Sequence, residues 1–503
     1  MQLNKTYLTS TKPYSNTEEL FQLPEKVLQF GTGVLLRGLC DYYIDKANKQ
    51  GIFNGRVVVV KSTDTGGADA FAQQDGLYTQ LIRGIEDGHT VDEVVINTAI
   101  SRVLSAKDEW QQILVYASNP QMQVVISNTT EVGITFIEDD VNASPPVSFP
   151  GKLLAFLYER YKVFNGSPES GLVIIPTELI VDNAGKLKEI LITLARFSNL
   201  SEVFIEWLET ANHYCSSLVD RIVPGKLPES DKAAAQEQLG YTDELMIMSE
   251  AYSLWAIECA KPTVLQTLSF SLGDKGVVLA HDITKFRELK LRLLNGAHTF
   301  ACGLAVLAGF ETVKDAMANK AFLQFVQKLM LSEIAPGLVN ENLALEEAKT
   351  FAHKVIDRFR NPYLDHKWLN ITLQYSSKML MRNVPNILNY YANNQTVPQY
   401  MALGFAAYLR FMDSHVNEQG QYIGHAKGAN FVINDDKAAI LHEHYQRKEL
   451  KPFIYEVLAD ERLWGRDLNK LLGFTDAVLK HIENIRELHK EHKTVLDYME
   501  EIG

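Results

Sequence analysis

A lysine, an asparagine and a histidine lie within nine residues in the stretch Lys290-Leu-Arg-Leu-Leu-Asn295-Gly-Ala-His298. A lysine that is partly removed from water loses proton affinity and can exchange a proton near neutral pH. A neighbouring amide N–H can hold a developing oxyanion, and an imidazole can orient or transfer a proton. The set therefore has the residue types for acid–base chemistry at an oxygen atom. The alternative, on spacing alone, is a surface helix with an incidental basic residue.

The elements around this stretch are predicted to be helical. Apolar and polar residues alternate around the lysine with helical spacing, and the apolar ones are Phe286, Leu289, Leu291, Leu293 and Leu294. Long helical periodicities then predominate to the C-terminus, whereas strand signals fade. Examples are 321–334, 343–359, 399–412 and 482–499. We therefore predict a domain boundary near residue 282, with domains at 1–282 and 283–503.

Strand-like and helix-like segments alternate before that boundary. Buried strands are predicted at 26–30, Arg56–Lys61, 123–127 and 172–175, with Val277–Ala280 as a late strand that closes this part. A helix is predicted at 35–50. Strands separated by helices of this length form parallel sheets from βαβ units. The predicted fold class is a Rossmann-type α/β domain with a parallel-sheet core, followed by a mainly α-helical domain.

A glycine pair directly follows the first predicted strand and opens a helix. Glycines in such a turn allow close approach of a pyrophosphate, whose charge the helix N-terminus favours. The predicted dinucleotide site comprises Phe30, Gly31, Thr32, Gly33, Val34 and Leu35. The third glycine of G-x-G-x-x-G is replaced by Leu36. The motif alone is therefore incomplete, and a plain turn is its alternative.

Two later strand ends add candidate cofactor residues. Lys61 could attract a 2′-phosphate, whereas Asp64 could accept a hydrogen bond from free ribose hydroxyls, so these residues leave NAD and NADP open. Asp64 could equally cap a helix. Asn128 and Thr129 follow the third strand, at the edge where open parallel sheets bind ligands. They could contact the nicotinamide ribose, cap a helix, or do both.

Length, composition and charge limit the class of protein. A chain of 503 residues exceeds one ordinary core, and 46% hydrophobic with 22% charged residues is typical of soluble globular proteins. A net charge of −13 argues against nucleic acid and anionic membranes as partners. We expect no membrane-spanning run and, without an apolar signal core at the N-terminus, a cytoplasmic location. The sequence leaves the oligomeric state open.

The cysteines and histidines do not predict a metal site. Cys40, Cys215, Cys259 and Cys302 are widely separated, which is typical of buried free thiols in a reducing compartment. The cluster His442-Glu443-His444 has the composition of a ligand set. However, side chains two residues apart on a helix point away from each other. We therefore expect no metal.

The pattern K-x4-N-x2-H, within KLRLLNGAHT, resembles the signature of the mannitol dehydrogenase family of polyol-specific long-chain dehydrogenases. The resemblance implies that Lys290 is the general acid/base and that Asn295 and His298 hold the substrate oxygen. FGTGVLLRG is similar to the family's G-x-G-x-x-x-R turn, in which the third glycine is normally absent. The resemblance also implies NAD as the cofactor and a reaction that needs no metal.

Further segments match this family over nearly the whole chain. The resemblance implies that Asn183, in PTELIVDN, joins the oxyanion hole and that Asp220, in SLVDRIV, borders the substrate. Asp220 could instead pair with Arg221. The strings SNTTEVG, CSSLVDRIVPG and RFRNPYLDH are most similar to members that reduce keto-hexuronates with NADH. The alternatives are a reductase of another uronate epimer, a mannitol-type polyol dehydrogenase and a non-catalytic nucleotide-binding sensor.

Two departures from the mannitol dehydrogenases bear on the substrate. Arg287 stands where those enzymes have an acidic residue, one helical turn before Lys290. Asn370 replaces a substrate-binding arginine, whereas Lys378 keeps a cationic position. Because a guanidinium binds carboxylates well, we predict that Arg287 and Lys378 bind the carboxylate of a uronate. The alternative for Arg287 is a surface ion pair.

Overall fold

The structure, a computed structural model, describes residues 1–11, 17–62, 68–129, 133–446, 449–488 and 493–502. The chain divides into two compact units. The first comprises Met1–Arg83 and Val91–Ile283, and the second comprises Gly84–Thr90 and Thr284–Gly503. Gly84–Thr90 connects two strands and groups with the second unit, in which the Gly88 N–H donates to Asp357 Oδ2 at 3.0 Å.

The strands of the first unit form three sheets. They are β1 (Glu25–Phe30), β2 (Arg56–Lys61), β3 (Tyr78–Glu86), β4 (His89–Asn97), β5 (Ile100–Ser105), β6 (Val124–Ser127), β7 (Val173–Pro176), β8 (His213–Tyr214), β9 (Ser217–Asp220), β10 (Ile247–Ser249), β11 (Leu254–Glu258) and β12 (Val277–Ala280). The largest sheet is parallel throughout, in the order β5-β2-β1-β6-β7-β8. The smaller sheets have the orders β10-β3-β4 and β12-β11-β9. The predicted Rossmann-type parallel sheet is therefore confirmed.

Helices cover both faces of the parallel sheet. In the first unit they are Lys5–Ser10, Glu18–Phe21, Val34–Gly38, Cys40–Lys49, Ala68–Gln73, Trp110–Val115, Phe149–Val163, Asn183–Phe197, Glu202–Thr210, Glu229–Leu239 and Pro262–Thr267, with 3-10 turns at Tyr116–Ser118, Pro168–Ser170 and Ser269–Gly273. The valines of β2 explain the layering, because successive side chains point to opposite faces. Val58 and Val60 pack into one buried cluster, whereas Val57 and Val59 pack into the other.

The second unit is mainly helical, as predicted. Its α-helices are Thr284–Leu289, Ala297–Ala308, Val313–Ala318, Lys320–Lys328, Ala335–Gly337, Leu345–Phe359, Trp368–Ile371, Tyr375–Lys378, Val384–Asn393, Gln399–Met412, Ala438–Tyr445, Leu450–Ala459, Glu461–Trp464, Phe474–Glu487 and Val495–Ile502, with a 3-10 turn at Leu468–Lys470. The π-helical segments are Lys290–Gly296, Leu329–Ile334 and Met379–Asn383. A small antiparallel sheet contains β13 (Ser414–Val416), β14 (Tyr422–Ala426) and β15 (Ala429–Val432).

Several predicted elements differ in detail from the structure. The helix predicted at 35–50 is interrupted at Leu39, and the one predicted at 482–499 overlaps two separate helices. Val277–Ala280 is a strand, but it pairs with β11 outside the six-stranded sheet.

The expectation that no run is long enough to span a membrane is also wrong. Among the described residues, the continuous helix Thr284–Ala308 passes that test by length and composition, and 83% of its most apolar window is buried inside the protein.

Candidate active site

The glycine turn after β1 has the backbone that the dinucleotide prediction requires. Gly31 has a φ of 128°, which favours glycine, and a Cβ there would lie 3.0 Å from the Asn128 carbonyl oxygen. A Cβ on Gly33 would meet nothing within 4 Å. The helix Val34–Gly38 begins directly after this glycine. The turn therefore leaves open space in front of exposed backbone, and this space suits a pyrophosphate.

The ends of β6 and β7 are tied together by polar side chains. Asn128 Nδ2 donates to Thr177 Oγ1 at 2.9 Å and to the Thr177 carbonyl at 3.2 Å. The buried carboxylate of Glu178 accepts from the Thr129 N–H at 2.8 Å and from Ser127 Oγ at 3.2 Å. Burial raises the pKa of Glu178, and these hydrogen bonds oppose the rise. Asn128 and Thr129 thus hold the sheet edge in shape. Glu178, which the sequence analysis missed, anchors that edge.

Asn183 differs from its predicted role in the oxyanion hole. Its side chain is 1% exposed, and Nδ2 donates to the carbonyls of Pro176, Glu178 and Ser217, each at 3.0 Å. Oδ1 accepts from the Ser217 N–H at 3.1 Å. An amide has only two N–H donors, and both are used here. Asn183 therefore joins the end of β7 to the start of β9, and no N–H is left for a substrate oxygen.

The other predicted site residues of the first unit are Asp220, Lys61 and Asp64. Asp220 is buried at the end of β9, opposite Leu254 of β11. The guanidinium of Arg221 donates to the Gly38 and Glu250 carbonyls at 2.8 and 3.0 Å. Lys61 is the half-buried last residue of β2. Asp64 lies outside the described residues, so its predicted ribose contact stays a prediction.

Lys290 is half-buried and begins the π-helical segment Lys290–Gly296. In an α-helix, residues five apart are rotated by roughly 140° from each other. A π-helix closes its hydrogen bonds at i+5, so Lys290 and Asn295 come onto the same side. His298 follows one α-helical turn after Asn295 in Ala297–Ala308. The K-x4-N-x2-H spacing thus aligns its three polar side chains because the helix contains a π turn.

Two asparagines from the segment 383–386 stabilise this π turn. In the amide orientation that satisfies both of its atoms, Asn383 donates to the Gly296 carbonyl at 3.1 Å and accepts from the Phe300 N–H at 3.2 Å. Asn386 Nδ2 donates to the Arg292 carbonyl at 3.2 Å. A Cβ on Gly296 would lie 2.5 Å from that same Nδ2. Glycine at position 296 therefore gives Asn386 room to reach the helix backbone.

The imidazole of His298 is 9% exposed and stacks on Phe359, with ring centroids 3.8 Å apart and planes 8° apart. Burial, and then the positive charges of His366, Arg358, Arg382 and Lys378, hold the pKa of His298 well below its usual value. The ring is therefore neutral near pH 7. Its Nε2 is buried without a hydrogen-bond partner among the described residues. An orphaned polar atom of this kind suits a ligand oxygen.

The cations near His298 lie mainly on the segment that includes Lys378 and Arg382. Arg382 Nη1 donates to Thr299 Oγ1 at 3.3 Å, and Thr299 Oγ1 donates to the Asn295 carbonyl at 2.8 Å. Lys378 Nζ donates to the Ile371 carbonyl at 2.8 Å. Burial lowers the pKa of both cations, and Arg382 lowers that of Lys378 further. Arg287 is half-buried in the α-helical turn before the π segment.

Arg382 and Asn383 were not predicted as partners of the continuous helix Thr284–Ala308, which carries Lys290 and is called the lysine helix below. Their only local signal is that Arg382 follows Lys378 by four residues, on the same helix face.

The cysteines are free and buried, as predicted. His442 Nδ1 lies 3.0 Å from the Ser414 carbonyl oxygen and His444 Nε2 lies 2.9 Å from Asp460 Oδ2, so these histidines have different partners. Among the described residues, no group of three or more His, Cys, Asp or Glu side chains could hold a metal ion.

Both parts of the chain match known sequence families. The Mannitol dehydrogenase Rossmann domain matches residues 25–267, and the Mannitol dehydrogenase C-terminal domain matches residues 282–486. An altronate oxidoreductase of Halalkalibacterium halodurans is 38% identical over 93% of this chain and 92% of the relative. Those of Bacillus subtilis and Escherichia coli are 37% and 35% identical, again over 93% of this chain and over 94% and 95% of the relatives.

Solved structures show the same fold at lower sequence identity. A D-sorbitol dehydrogenase in substrate-free form aligns with a TM-score of 0.76 at 18% identity, over 97% of this chain and 98% of its own. The mannitol 2-dehydrogenase of Pseudomonas fluorescens, solved with NAD and D-mannitol, aligns with a TM-score of 0.65 at 22% identity over both complete chains. These similarities concern the fold.

Proposed function

This chain belongs to the mannitol dehydrogenase family, and we propose that it is an NADH-dependent oxidoreductase that reduces D-tagaturonate to D-altronate reversibly. The observation that carries the proposal is the similarity to altronate oxidoreductases across both units. The cations around a neutral His298 support it, because a hexuronate is an anion. The nearest alternatives are a fructuronate reductase and a mannitol-type dehydrogenase.

The glycine turn fits the proposed cofactor. Gly31 has the conformation of a tight turn, and the open space above Gly33 admits a pyrophosphate close to the backbone. Phe30–Leu35 would hold the dinucleotide, together with Asn128 and Thr129 at the end of β6. NAD, when bound, supplies the hydride chemistry. We expect NADH to be preferred over NADPH, with Asp64 contributing to that preference.

The second unit supplies the proton and the oxygen contacts. Reduction of a keto carbon produces an alkoxide, to which Lys290 donates a proton. Asn295 donates a hydrogen bond to the same oxygen, and the neutral His298 orients it through Nε2, which has no partner in the described part of the chain. Asn183 is left out of this set because its amide already serves three carbonyls. In the reverse direction Lys290 accepts the proton, and because the overall oxidation by NAD releases one proton to solvent, altronate oxidation is favoured at alkaline pH.

We assign the substrate carboxylate to cationic side chains of the second unit. Arg287 and Lys378 are the candidates that the sequence offers, and Asp220 of the first unit is proposed to border the substrate. We place the reaction in the cytoplasm, because reduced thiols are maintained there and the four cysteines are free. The substrate is a small sugar acid.

A substrate panel tests the proposal directly. Oxidation of NADH and of NADPH is measured with D-tagaturonate, D-fructuronate and D-fructose, and kcat/KM is compared. We expect the highest value for D-tagaturonate with NADH. A preference for D-fructuronate would assign the other epimer, and a preference for D-fructose would assign a mannitol-type dehydrogenase. Binding of NADH without turnover of any sugar would indicate a nucleotide-binding sensor.

A further inference from the structure

Two cations lie close to His298, and among the residues that the structure describes no carboxylate pairs with them directly. Arg382 contacts Thr299, the residue next to His298, and Lys378 is four residues before Arg382 on the same helix face. Arg382 donates to a hydroxyl, and Lys378 donates to a backbone carbonyl. In the described part of the chain, neither forms an ion pair with an acidic side chain.

The acidic side chain that acts on Lys378 is held by other donors. Asp435 is the carboxylate whose charge acts on Lys378. Its oxygens accept from the backbone N–H groups of Ser376 at 2.6 Å and Lys437 at 2.8 Å. Asp435 is thus held by backbone donors. The two cations remain available to an external anion.

Keeping two like charges together in a half-buried place is unfavourable without a counter-ion. The chain could have avoided this cost with an uncharged residue at either position. Functional sites are where proteins retain such arrangements. The carboxylate of a bound substrate would supply the missing negative charge, and a guanidinium can hold it with two parallel hydrogen bonds.

Resting on the proposed function, we propose that Arg382 is a specificity-determining residue that, together with Lys378, binds the carboxylate of the keto-hexuronate. This proposal adds Arg382 to Arg287 and Lys378, the two residues inferred from the sequence. It gives Arg382 the larger role in binding the substrate carboxylate. Arg382 also contacts Thr299 Oγ1, which bonds to the Asn295 carbonyl. Carboxylate binding and the placement of the reacting oxygen are thereby coupled through two hydrogen bonds.

The experiment compares an acid with its neutral counterpart in matched variants. D-tagaturonate and D-tagatose differ in having a carboxylate or a hydroxymethyl group at one end. The variants are Arg382→Gln, Arg382→Lys and a control, Arg466→Gln, which removes the same charge from an exposed position of the second unit. Calorimetric binding of D-altronate and of D-altritol to the NADH-loaded protein provides a readout that does not depend on turnover.

We expect Arg382→Gln to lower kcat/KM for D-tagaturonate by about ten- to a hundredfold, mainly through KM, as for loss of a charge-assisted hydrogen bond. Binding of D-altronate should weaken by a similar factor, whereas D-tagatose turnover and D-altritol binding should stay close to those of the wild type. Arg382→Lys should lie between, because it keeps the charge and loses the two-pronged geometry. The control should match the wild type.

Two results would overturn the proposal. Equal loss for the acid and the neutral sugar would make Arg382 a structural residue, and unchanged kcat/KM and D-altronate binding would remove it from the site. Failure of the proposed function has a different signature. In that case the wild type itself would reduce neutral ketoses in preference to D-tagaturonate, whatever the effect of the substitution.

Discussion

The edge of the parallel sheet and the lysine helix use polar side chains in opposite ways. At the sheet edge, the side chains of Asn183 and Glu178 form hydrogen bonds with the protein's own backbone and hydroxyl groups. On the lysine helix, His298 keeps a buried Nε2 without a partner among the described residues. Within the described ranges, Arg382 and Lys378 likewise keep positive charge without a paired carboxylate.

This difference supports the proposed division of roles between the two regions. A dinucleotide is recognised largely through backbone groups and close approach, so its site benefits from a rigid edge whose polar groups are already satisfied. A site that transfers a proton needs donors or acceptors that are not already hydrogen-bonded within the protein. The first region therefore has the properties of a rigid support for a cofactor. The second has those of a catalytic centre.

The largest expected effect is that of Lys290→Ala. If Lys290 is the proton donor, kcat should fall by about a hundredfold or more, within the range of general acid–base contributions. Binding of NADH should persist, because the glycine turn belongs to the first unit. Steady-state rates and fluorescence titration with NADH measure the two quantities. Turnover near that of the wild type would contradict the mechanism, and Arg466→Gln serves as the charge control.

The parallel sheet could be predicted because its strands carry their signal locally. Val57 to Val60 are consecutive and all buried, as expected for a strand covered on both faces. β4 was missed because its first five residues, His89–Glu93, include four exposed polar side chains, so its apolar run is confined to the three residues 94–96. Helical periodicity identified the second unit, and Gln399–Met412 matches the predicted bounds.

The residue types and spacing of Lys290, Asn295 and His298 suggest acid–base chemistry, and the family resemblance supplies their proposed roles. Nothing local in KLRLLNG predicts a π turn. Asn383 and Arg382 were missed because they approach this helix only after folding, from more than eighty positions further along the chain. Asn183 was assigned by resemblance, and that resemblance did not reveal that both amide hydrogens are used within the fold.

A smaller effect on catalysis, with a larger one on stability, is expected for Asn183→Ala. The substitution removes one donor from the buried carbonyls of Pro176, Glu178 and Ser217 and one acceptor from the Ser217 N–H. The Pro176 and Glu178 carbonyls keep a second donor, so we expect each lost hydrogen bond to cost about 0.5–1.5 kcal/mol. Denaturant unfolding should show a lower free energy of unfolding, whereas kcat of the folded fraction should change little. Asn142→Ala, at an exposed position of the same unit, is the control. A large fall in kcat with unchanged stability would restore the oxyanion role and remove the contrast between the regions.

The smallest expected effect concerns the pH dependence of stability through His298. Burial and neighbouring cations keep its folded-state pKa well below the unfolded value of 6.5. The folded state therefore binds fewer protons than the unfolded state, so this contribution is present above pH 6.5 and is lost as the pH falls below it. For one proton the loss is up to about 1.4 kcal/mol per pH unit. His298→Gln should remove it, so unfolding free energies measured between neutral and mildly acid pH should fall less steeply in the variant. If the profiles of the variant and the wild type were parallel, the fold would not hold His298 neutral. The electrostatic difference between His298 and the hydrogen-bonded side chains of the sheet edge would then no longer be supported.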